Sequence, residues 1–373
     1  MNLPFLPFTR PAIDEETIAD VIAVLKGGWI TTGPKVAALE AALSEYLGGR
    51  AVRSMTSATG GMEMALKALG VGPGDEVIVP AMTFAASANV VERLGARAVF
   101  VDVELRSRNA TPAAMEAALT ARTKVLMPVH FSGLSVDMDG MLELAGRQGL
   151  RVMEDAAHAI GTRYKGRLIG SFGDVASFSF HANKNMTTIE GGALSYADPA
   201  LTRPLERERF HGIVKDAAGN IDIETAGGKF NLTDVAAAVG LGQLRRLEDF
   251  NRRRELLASR YAARLEAHVD PEWLPLPGDG HSWHMYPLLA PLTQLGMTRD
   301  ALIAAMRERG IGLGIHYPCV PAMRYYRGRG WNPADFPNAA RIGAQTVSLP
   351  LFPAMADSDV DRVCDALLEL LPR

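Results

Sequence analysis

The chain has 373 residues, and its 39 Lys and Arg against 42 Asp and Glu give a formal net charge of −3. This balance, without a block of basic residues, argues against a dedicated nucleic-acid binder. The sequence contains no run of 18 apolar residues, so a membrane-spanning helix is not predicted. Two cysteines are too few for a disulfide-stapled secreted scaffold, so we expect a cytoplasmic protein with two packed domains.

The first two-thirds of the chain alternate between amphipathic helical segments and short apolar runs. Two helices open the chain at 15–26 and 36–47, each with an apolar stripe that we expect to be buried. Further helices are predicted at 84–94, 112–119 and 138–147, and strands at 76–79, 98–101, 124–127, 150–153, 175–180 and 193–196. Several of these strands are apolar throughout, which predicts an α/β fold with a mostly parallel sheet covered on both faces.

The pattern changes after about Gly240. The charged segment 244–267 predicts a solvated connector helix, and a break rich in Pro and Gly follows at 271–281. Beyond the break we expect strands at 285–292 and 311–316 and helices at 298–309 and 357–371. The sequence therefore predicts a large α/β domain over residues 1–240 and a smaller α+β domain over residues 241–373.

Ligands of open α/β sheets bind beyond the carboxyl ends of the strands, and the first candidate segment there is 57–61. This small, glycine-bearing turn precedes the helical run 62–69. Its backbone N–H groups and the positive end of the helix dipole could bind a phosphate. The alternative is an ordinary N-cap at Thr59.

The second candidate is the pair Glu154-Asp155, which ends an apolar strand. Side chains alternate across a strand, so at most one of the two carboxylates readily faces the crevice. That carboxylate could bind a protonated heterocyclic nitrogen or could cap the next turn.

The third candidate is Lys184, in the turn that follows the strand 175–180 and close to Ser179 and the glycines of 190–192. A lysine whose pKa is lowered by its site can form a Schiff base, whereas an ordinary turn lysine is solvated. A phosphate cradle, a carboxylate and a lysine are together the three contacts that pyridoxal 5'-phosphate needs. The set predicts a pyridoxal-phosphate site.

Several longer segments carry a family resemblance that covers essentially the whole chain. They are 28–34 (GWITTGP), 74–84 (GDEVIVPAMTF), 154–161 (EDAAHAIG), 178–192 (FSFHANKNMTTIEGG), 230–234 (FNLTD) and 348–353 (SLPLFP). With these segments the chain resembles the DegT/DnrJ/StrS-type pyridoxal-phosphate sugar aminotransferases. The resemblance implies the aspartate aminotransferase fold, which is PLP fold type I.

The resemblance also implies roles for individual residues. Lys184 would hold the cofactor's aldehyde and move the proton between the substrate carbon and the cofactor, and Asp155 would pair with the pyridine nitrogen. Phe84 would stack on the cofactor ring, with plain core packing as the alternative. The phosphate would be held by Thr59, Gly60 and Ser179.

Two further positions follow from the same resemblance. His158 stands where relatives place a Gln or His beside the ring hydroxyl, although a satisfied, semi-buried histidine is a competing interpretation. Asn231 would reach the phosphate of the neighbouring subunit's cofactor, which implies a homodimer with shared sites. Leu232 follows it where relatives often carry a basic residue, so Lys229 or an arginine is expected to supply part of that contact.

Two segments indicate the subclass within this family. The run 181–184 (HANK) and the segment 187–192 look like the corresponding segments of members that aminate C4 of a nucleotide-linked keto sugar. The segments 129–133 and 314–317 are similar to UDP-4-amino-4-deoxy-L-arabinose aminotransferases. The implied substrates are a 4-keto nucleotide sugar and an amino-acid donor, with glutamate expected, in amino-sugar synthesis for polysaccharide, lipid A or glycoconjugates.

Two other function classes are open alternatives. A nicotinamide oxidoreductase would need a G-x-G-x-x-G turn after the first strand, and neither 310–314 nor 70–74 fits it. A non-catalytic regulatory member would be expected to lose Lys184 or Asp155, and both are present. A metal site is not predicted, because His281 and His284 have no companion ligand at metal-binding spacing.

Overall fold

The fold was obtained as a computed structural model, which describes residues 4–371. The helices are α1 (Glu15–Gly27), α2 (Pro34–Tyr46), α3 (Ala58–Ala68), α4 (Ala86–Arg93), α5 (Pro112–Ala117), α6 (Met138–Gln148), α7 (Thr202–Arg209), α8 (Asp234–Arg245), α9 (Leu247–Leu265), α10 (Leu292–Leu295), α11 (Arg299–Glu308), α12 (Arg324–Gly328), α13 (Pro337–Gln345) and α14 (Asp357–Leu368). The strands are β1 (Ala51–Met55), β2 (Glu76–Pro80), β3 (Arg97–Val101), β4 (Thr123–Leu126), β5 (Arg151–Asp155), β6 (Arg163–Tyr164), β7 (Arg167–Leu168), β8 (Val175–Ser179), β9 (Gly192–Tyr196), β10 (Ile213–Lys215), β11 (Ile221–Ile223), β12 (Tyr286–Leu289) and β13 (Thr346–Leu349).

A seven-stranded sheet in the order β1-β9-β8-β5-β4-β2-β3 forms the centre of the molecule. The five strands from β8 to β3 in that order run parallel, and β9 pairs antiparallel with both β8 and β1. All five residues of β2 are buried, as expected for a strand covered by helices on both faces. The predicted α/β fold with a mostly parallel sheet is therefore confirmed.

The first helix forms where predicted, but the predicted burial of its apolar stripe is wrong. Ile18, Ile22 and Leu25 are 41%, 45% and 54% exposed. Helix α1 packs against α8 through a different edge, on which Thr17 and Val24 are buried. Periodicity identifies an apolar face but not what covers it, and within residues 4–371 nothing covers this one.

The charged segment 244–267 also departs from the prediction of one solvated helix. Two helices, α8 and α9, meet at Arg246, and Arg254 on α9 is only 2% exposed. Its Nη1 donates to the carbonyl oxygens of Trp283 (3.3 Å), His284 (3.0 Å) and Leu351 (2.8 Å). Burial lowers the pKa of Arg254 to about 9. A plain surface helix is thus the wrong interpretation at this position.

The segment 311–316 is not a strand, contrary to the prediction. It makes only two isolated bridges, Leu6 to Ile311 and Gly314 to Ser348. The segment is therefore tied to the N-terminal region and to the strand β13. The strand predicted at 285–292 is β12, which pairs antiparallel with β13.

Buried apolar side chains form two clusters, one around the large sheet and one that joins Leu6 to residues of α9, β12, α11, β13 and α14. The division into domains 1–240 and 241–373 stays a prediction, and residues 1–3 and 372–373 at its two ends lie outside the described residues. Among residues 4–371, no helix has both the length and the apolar character needed to cross a membrane.

Candidate active site

A cavity of about 500 Å³ opens at the carboxyl ends of β5 and β8, beside the first turn of α3. Side chains predicted from separate parts of the sequence meet on its wall: Thr59, Phe84, Asp155, His158, Ser179 and Lys184. Ligands of open α/β sheets bind at this edge. The topology therefore brings the three predicted contacts together in one place.

The start of α3 forms one wall of the cavity. The helix begins at Ala58, and its N-cap is Ser57, whose Oγ accepts from the N–H of Gly60 at 3.0 Å. The predicted turn at 57–61 is thus the first helical turn, and the alternative of an N-cap at Thr59 is wrong. The N-terminal N–H groups of Ala58 and Thr59 lie at the positive end of the helix dipole, where an anion is stabilised.

Gly192 explains why the strand after Lys184 can lie so close to this turn. A Cβ at Gly192 would come within 2.5 Å of the Ala58 nitrogen and 2.7 Å of the Phe178 oxygen. Both are backbone atoms that cannot rotate away, so only glycine fits. The absence of a side chain at Gly192 therefore allows the close backbone approach seen here.

Gly60 lies on a neighbouring cavity of about 480 Å³ rather than on the main one. Ser57, Thr59 and Phe84 line both cavities, and Lys229 lines the second. Lys229 therefore lies beside the predicted phosphate-binding turn, residues 57–61, of its own chain.

The carboxylate of Asp155 faces the cavity at the end of β5. Its Oδ2 accepts from the hydroxyl of Ser87 at 2.6 Å, and its Oδ1 accepts from the N–H of Ala157 at 3.1 Å. Glu154 points to the other side of the strand, where it is fully buried and lies 3.1 Å from Nε2 of His130. Strand alternation predicted that only one of the two would face the crevice, and this is confirmed.

Lys184 follows β8 and shares the cavity with Asp155. Burial lowers the pKa of Lys184 from 10.5 to about 8, and the charge of Asp155 acts in the opposite direction. The next residue fixes the turn, because Nδ2 of Asn185 donates to Oδ1 of Asn251 and to the carbonyl of Ser282, both at 2.7 Å. The site thus lowers the pKa of Lys184, and Asn185 fixes the turn that carries it. A nucleophilic amine requires such a lowered pKa.

Aromatic rings complete the wall. Phe84 is 57% exposed, so the alternative that it is a core residue is wrong, and its ring centroid lies 5.6 Å from that of Tyr317. His158 is 6% exposed, and its Nε2 lies 3.1 Å from the Tyr317 hydroxyl. Burial, with a contribution from the charge of Lys184, lowers the pKa of His158 well below its usual value.

Asn231 does not line the cavity of its own chain. Its Nδ2 donates to Oγ1 of Thr32 at 2.6 Å, and its Oδ1 accepts from Nζ of Lys229. His281 and His284 are buried away from the cavity wall, and among residues 4–371 no group of His, Cys, Asp or Glu is arranged to hold a metal ion.

Sequence reasoning missed Ser87, His316 and Tyr317 as site residues. The last two belong to the segment 314–317 that carried part of the resemblance, but no role was assigned to them. They lie more than 130 residues from Lys184, so nothing local in the sequence links them to it. Ser87 stands three positions after Phe84, and its hydrogen bond to Asp155 has no sequence signal.

Comparison with known proteins places these features in a family. The model of the DegT/DnrJ/EryC1/StrS aminotransferase family matches residues 11–368. Among solved structures, DesV of S. venezuelae is 34% identical over 100% of both chains with a TM-score of 0.91. PseC of Helicobacter pylori, an aminotransferase of pseudaminic acid biosynthesis, is 26% identical over 98% of this chain and 99% of its own, with a TM-score of 0.92.

A third similar structure bears on the cofactor. The candidate sugar aminotransferase Spr1654 of Streptococcus pneumoniae has been solved in PLP and PMP forms, the PMP form being 33% identical over 99% of this chain and 98% of its own with a TM-score of 0.91. These matches confirm the aminotransferase fold and identify pyridoxal phosphate as the cofactor. The helix N-terminus, Asp155 and Lys184 in one cavity fit that cofactor.

Proposed function

This chain belongs to the DegT/DnrJ/EryC1/StrS aminotransferase family, and from that premise we propose that it transfers an amino group from glutamate to the C4 carbonyl of a nucleotide-linked keto sugar. The observation that carries the proposal is the meeting of Lys184, Asp155 and the start of α3 in one cavity. The product would serve amino-sugar synthesis for polysaccharide, lipid A or glycoconjugates. Two buried free cysteines, Cys319 and Cys364, suit the reducing cytoplasm that we propose as its location.

In this proposal each residue has a defined task. Pyridoxal phosphate, when bound, supplies the electron sink that lets an amino group move between two carbonyl compounds. Lys184 would bind the aldehyde, and whenever its amine is free, its pKa near 8 would let Nζ hold or release a proton. Asp155, positioned by the hydrogen bonds from Ser87 and Ala157, would keep the pyridine nitrogen protonated.

The remaining tasks concern position rather than proton transfer. Phe84 is an exposed ring on the cavity wall, suited to stack on the cofactor. The first turn of α3, with Thr59 and Gly60, and the hydroxyl of Ser179 would hold the phosphate. Lys229 lies on the adjoining cavity and would add a positive charge there.

The test is a cofactor titration. Wild-type protein supplied with pyridoxal phosphate should develop a visible absorption band, and Lys184→Ala should lose both the band and turnover. Lys165→Ala, which removes an exposed lysine outside the cavity, should change neither. A wild-type protein without the band, or a Lys184→Ala variant with normal turnover, would contradict the proposal.

The sugar and the donor are tested separately from the cofactor. Protein in the pyridoxamine form is mixed with 4-keto and 3-keto nucleotide sugars, and loss of that form is followed. Amination of a 4-keto UDP-pentose at the fastest rate would support the UDP-4-amino-4-deoxy-L-arabinose type. A faster reaction with 3-keto sugars would overturn the C4 assignment and leave the aminotransferase assignment standing.

We also propose that the chain forms a homodimer in which Asn231 reaches the partner's cofactor. The apolar face of α1 supports a partner surface, because Ile18, Ile22 and Leu25 lie near the exposed Trp29 and Ile30 in sequence and nothing in residues 4–371 covers them. Ile22→Glu should shift the sedimentation coefficient towards a monomer. Leu142→Glu, an exposed position on α6, is the matched control and should leave the oligomer unchanged. A dimer that survives Ile22→Glu would place the interface elsewhere.

A further inference from the structure

His158 is held at both of its ring nitrogens. The backbone N–H of Ser132 donates to Nδ1 at 3.3 Å, and Nε2 lies 3.1 Å from the hydroxyl oxygen of Tyr317. The ring is neutral at ordinary pH, because burial lowers its pKa well below the usual value. An N–H cannot donate to another N–H, so Nδ1 carries no proton and the single ring proton lies on Nε2.

This tautomer determines what Tyr317 can do. Nε2–H of His158 donates to the Tyr317 oxygen, so the tyrosine's own proton is not used in that bond. Among residues 4–371 the Tyr317 hydroxyl has no other hydrogen-bond partner, and the residue lines the cavity that holds Lys184 and Asp155. Burial and the charge of Asp155 raise the pKa of Tyr317, so the hydroxyl keeps its proton. A hydrogen-bond donor with a fixed oxygen is therefore directed to a ligand in the cavity.

We propose that Tyr317 donates this hydrogen bond to the phenolic oxygen of the cofactor and that His158 is a positioning residue acting through Tyr317. This inference rests on the proposed function. In pyridoxal phosphate the phenolic oxygen is on the ring carbon next to the aldehyde-bearing carbon, and the pyridine nitrogen lies across the ring from the aldehyde. Lys184 and Asp155 mark those two ends of the ring.

The position of the His158–Tyr317 pair agrees with this placement. His158 and Tyr317 line the same cavity as Lys184 and Asp155, the two residues assigned to the two ends of the ring. The ring of Phe84, which would stack on the cofactor, has its centroid 5.6 Å from that of Tyr317. In this proposal His158 acts on the ring hydroxyl through Tyr317, to which its Nε2 proton is donated, rather than by direct contact.

The test is the pH titration of the visible band of cofactor-loaded protein without substrate. A hydrogen-bond donor stabilises the anionic phenolic oxygen of the cofactor. When the donor is removed, the chromophore stays protonated to a higher pH, so the midpoint of the titration rises. Tyr317→Phe is expected to raise the midpoint by roughly one pH unit. His158→Ala is expected to raise it by less, and the double variant by no more than Tyr317→Phe alone, since His158 acts only through Tyr317.

Two controls separate this role from a structural one. Tyr325→Phe makes the same chemical change at an exposed hydroxyl that binds Glu92 outside the cavity, and it should leave the midpoint unchanged. His158→Gln retains an acceptor for the Ser132 N–H and a donor for Tyr317, and it should restore most of the wild-type midpoint. Far-UV circular dichroism verifies that each variant is folded.

Three results would overturn the inference. A full shift in His158→Ala with none in Tyr317→Phe would make His158 the donor. An unchanged midpoint in Tyr317→Phe with a raised KM for the sugar would make the substrate the acceptor. In both cases the wild-type band remains and the proposed function stands, whereas a wild-type protein that forms no band with pyridoxal phosphate refutes the proposed function and this inference together.

Discussion

Lys184 is expected to react with the cofactor's aldehyde at a pH where ordinary lysines are almost fully charged. Burial lowers its pKa from 10.5 to about 8, although the charge of Asp155 opposes the shift. At pH 7 roughly one tenth of such a lysine is neutral, against about 0.03% of an ordinary one. The structure therefore predicts a gain in reactive amine of about 300-fold at pH 7.

The assay is a stopped-flow mix of apo-protein with pyridoxal phosphate, with the second-order rate constant measured from about pH 6.5 to about pH 10. We expect the rate constant to rise about tenfold per pH unit up to about pH 8 and to level off above it, because protonation blocks the amine below its pKa. Free Nα-acetyl-lysine amide is the control, and it also corrects for titration of the cofactor itself. Its rate constant should keep rising to about pH 10.4.

Asp155→Asn sharpens the test, because it removes the charge that raises the pKa of Lys184. The variant binds the cofactor less well, but the midpoint of its loading profile should move below the wild-type value. A wild-type midpoint near that of free lysine, or an upward move in Asp155→Asn, would refute the reasoning.

Three further predictions concern stability, each measured by urea unfolding. Gly192→Ala should lower the free energy of unfolding by about 2–3 kcal/mol because its Cβ meets backbone atoms at 2.5 Å and 2.7 Å, whereas Gly146→Ala, on an open face of α6, should raise it by about 0.5–1 kcal/mol. Arg254→Met should cost about 2–4 kcal/mol because three carbonyl oxygens lose their donor, while the exposed Arg252→Met should stay within about 0.5 kcal/mol. Asp234→Ala should cost about 2–3 kcal/mol, because the buried carboxylate accepts three backbone N–H groups at the start of α2.

Each of these predictions has an outcome that would contradict it. Equal effects of the two glycine substitutions would mean that the backbone around Gly192 can move. An Arg254→Met variant as stable as wild type would mean that the carbonyl oxygens find other donors. If Asp234→Asn is no more stable than Asp234→Ala, the remaining amide oxygen does not serve as an acceptor in place of the carboxylate.

The sheet and the main site residues could be predicted from the sequence because their signals are local. An apolar run such as β5 ends in Asp155, and β8 is followed within five residues by Lys184. Parallel strands bring such ends to the same edge of a sheet. Short-range pattern and chain order were therefore enough to place the lysine and the carboxylate in one cavity.

The errors have a common physical origin in partners that are distant in sequence. The carbonyl oxygens that accept hydrogen bonds from the buried Arg254 come from segments at least 29 residues away. The pattern of charges along a helix does not reveal such partners. The strand predicted at 311–316 makes only isolated bridges, to Leu6 and to Ser348 of β13, so it forms no continuous ladder with either. Tyr317 lines the cavity beside His158, which is 159 residues away in sequence.

The bridge between Leu6 and Ile311 sets a condition on how the chain can fold as it is synthesised. Leu6 belongs to the smaller apolar cluster, whose other members come from Leu257 onward. At about 5–20 residues per second, a ribosome needs roughly 15–60 s between making Leu6 and making its bridge partner. Throughout that time Leu6 lacks its bridge partner, and the smaller cluster can be completed only after its last members, in α14, have been synthesised.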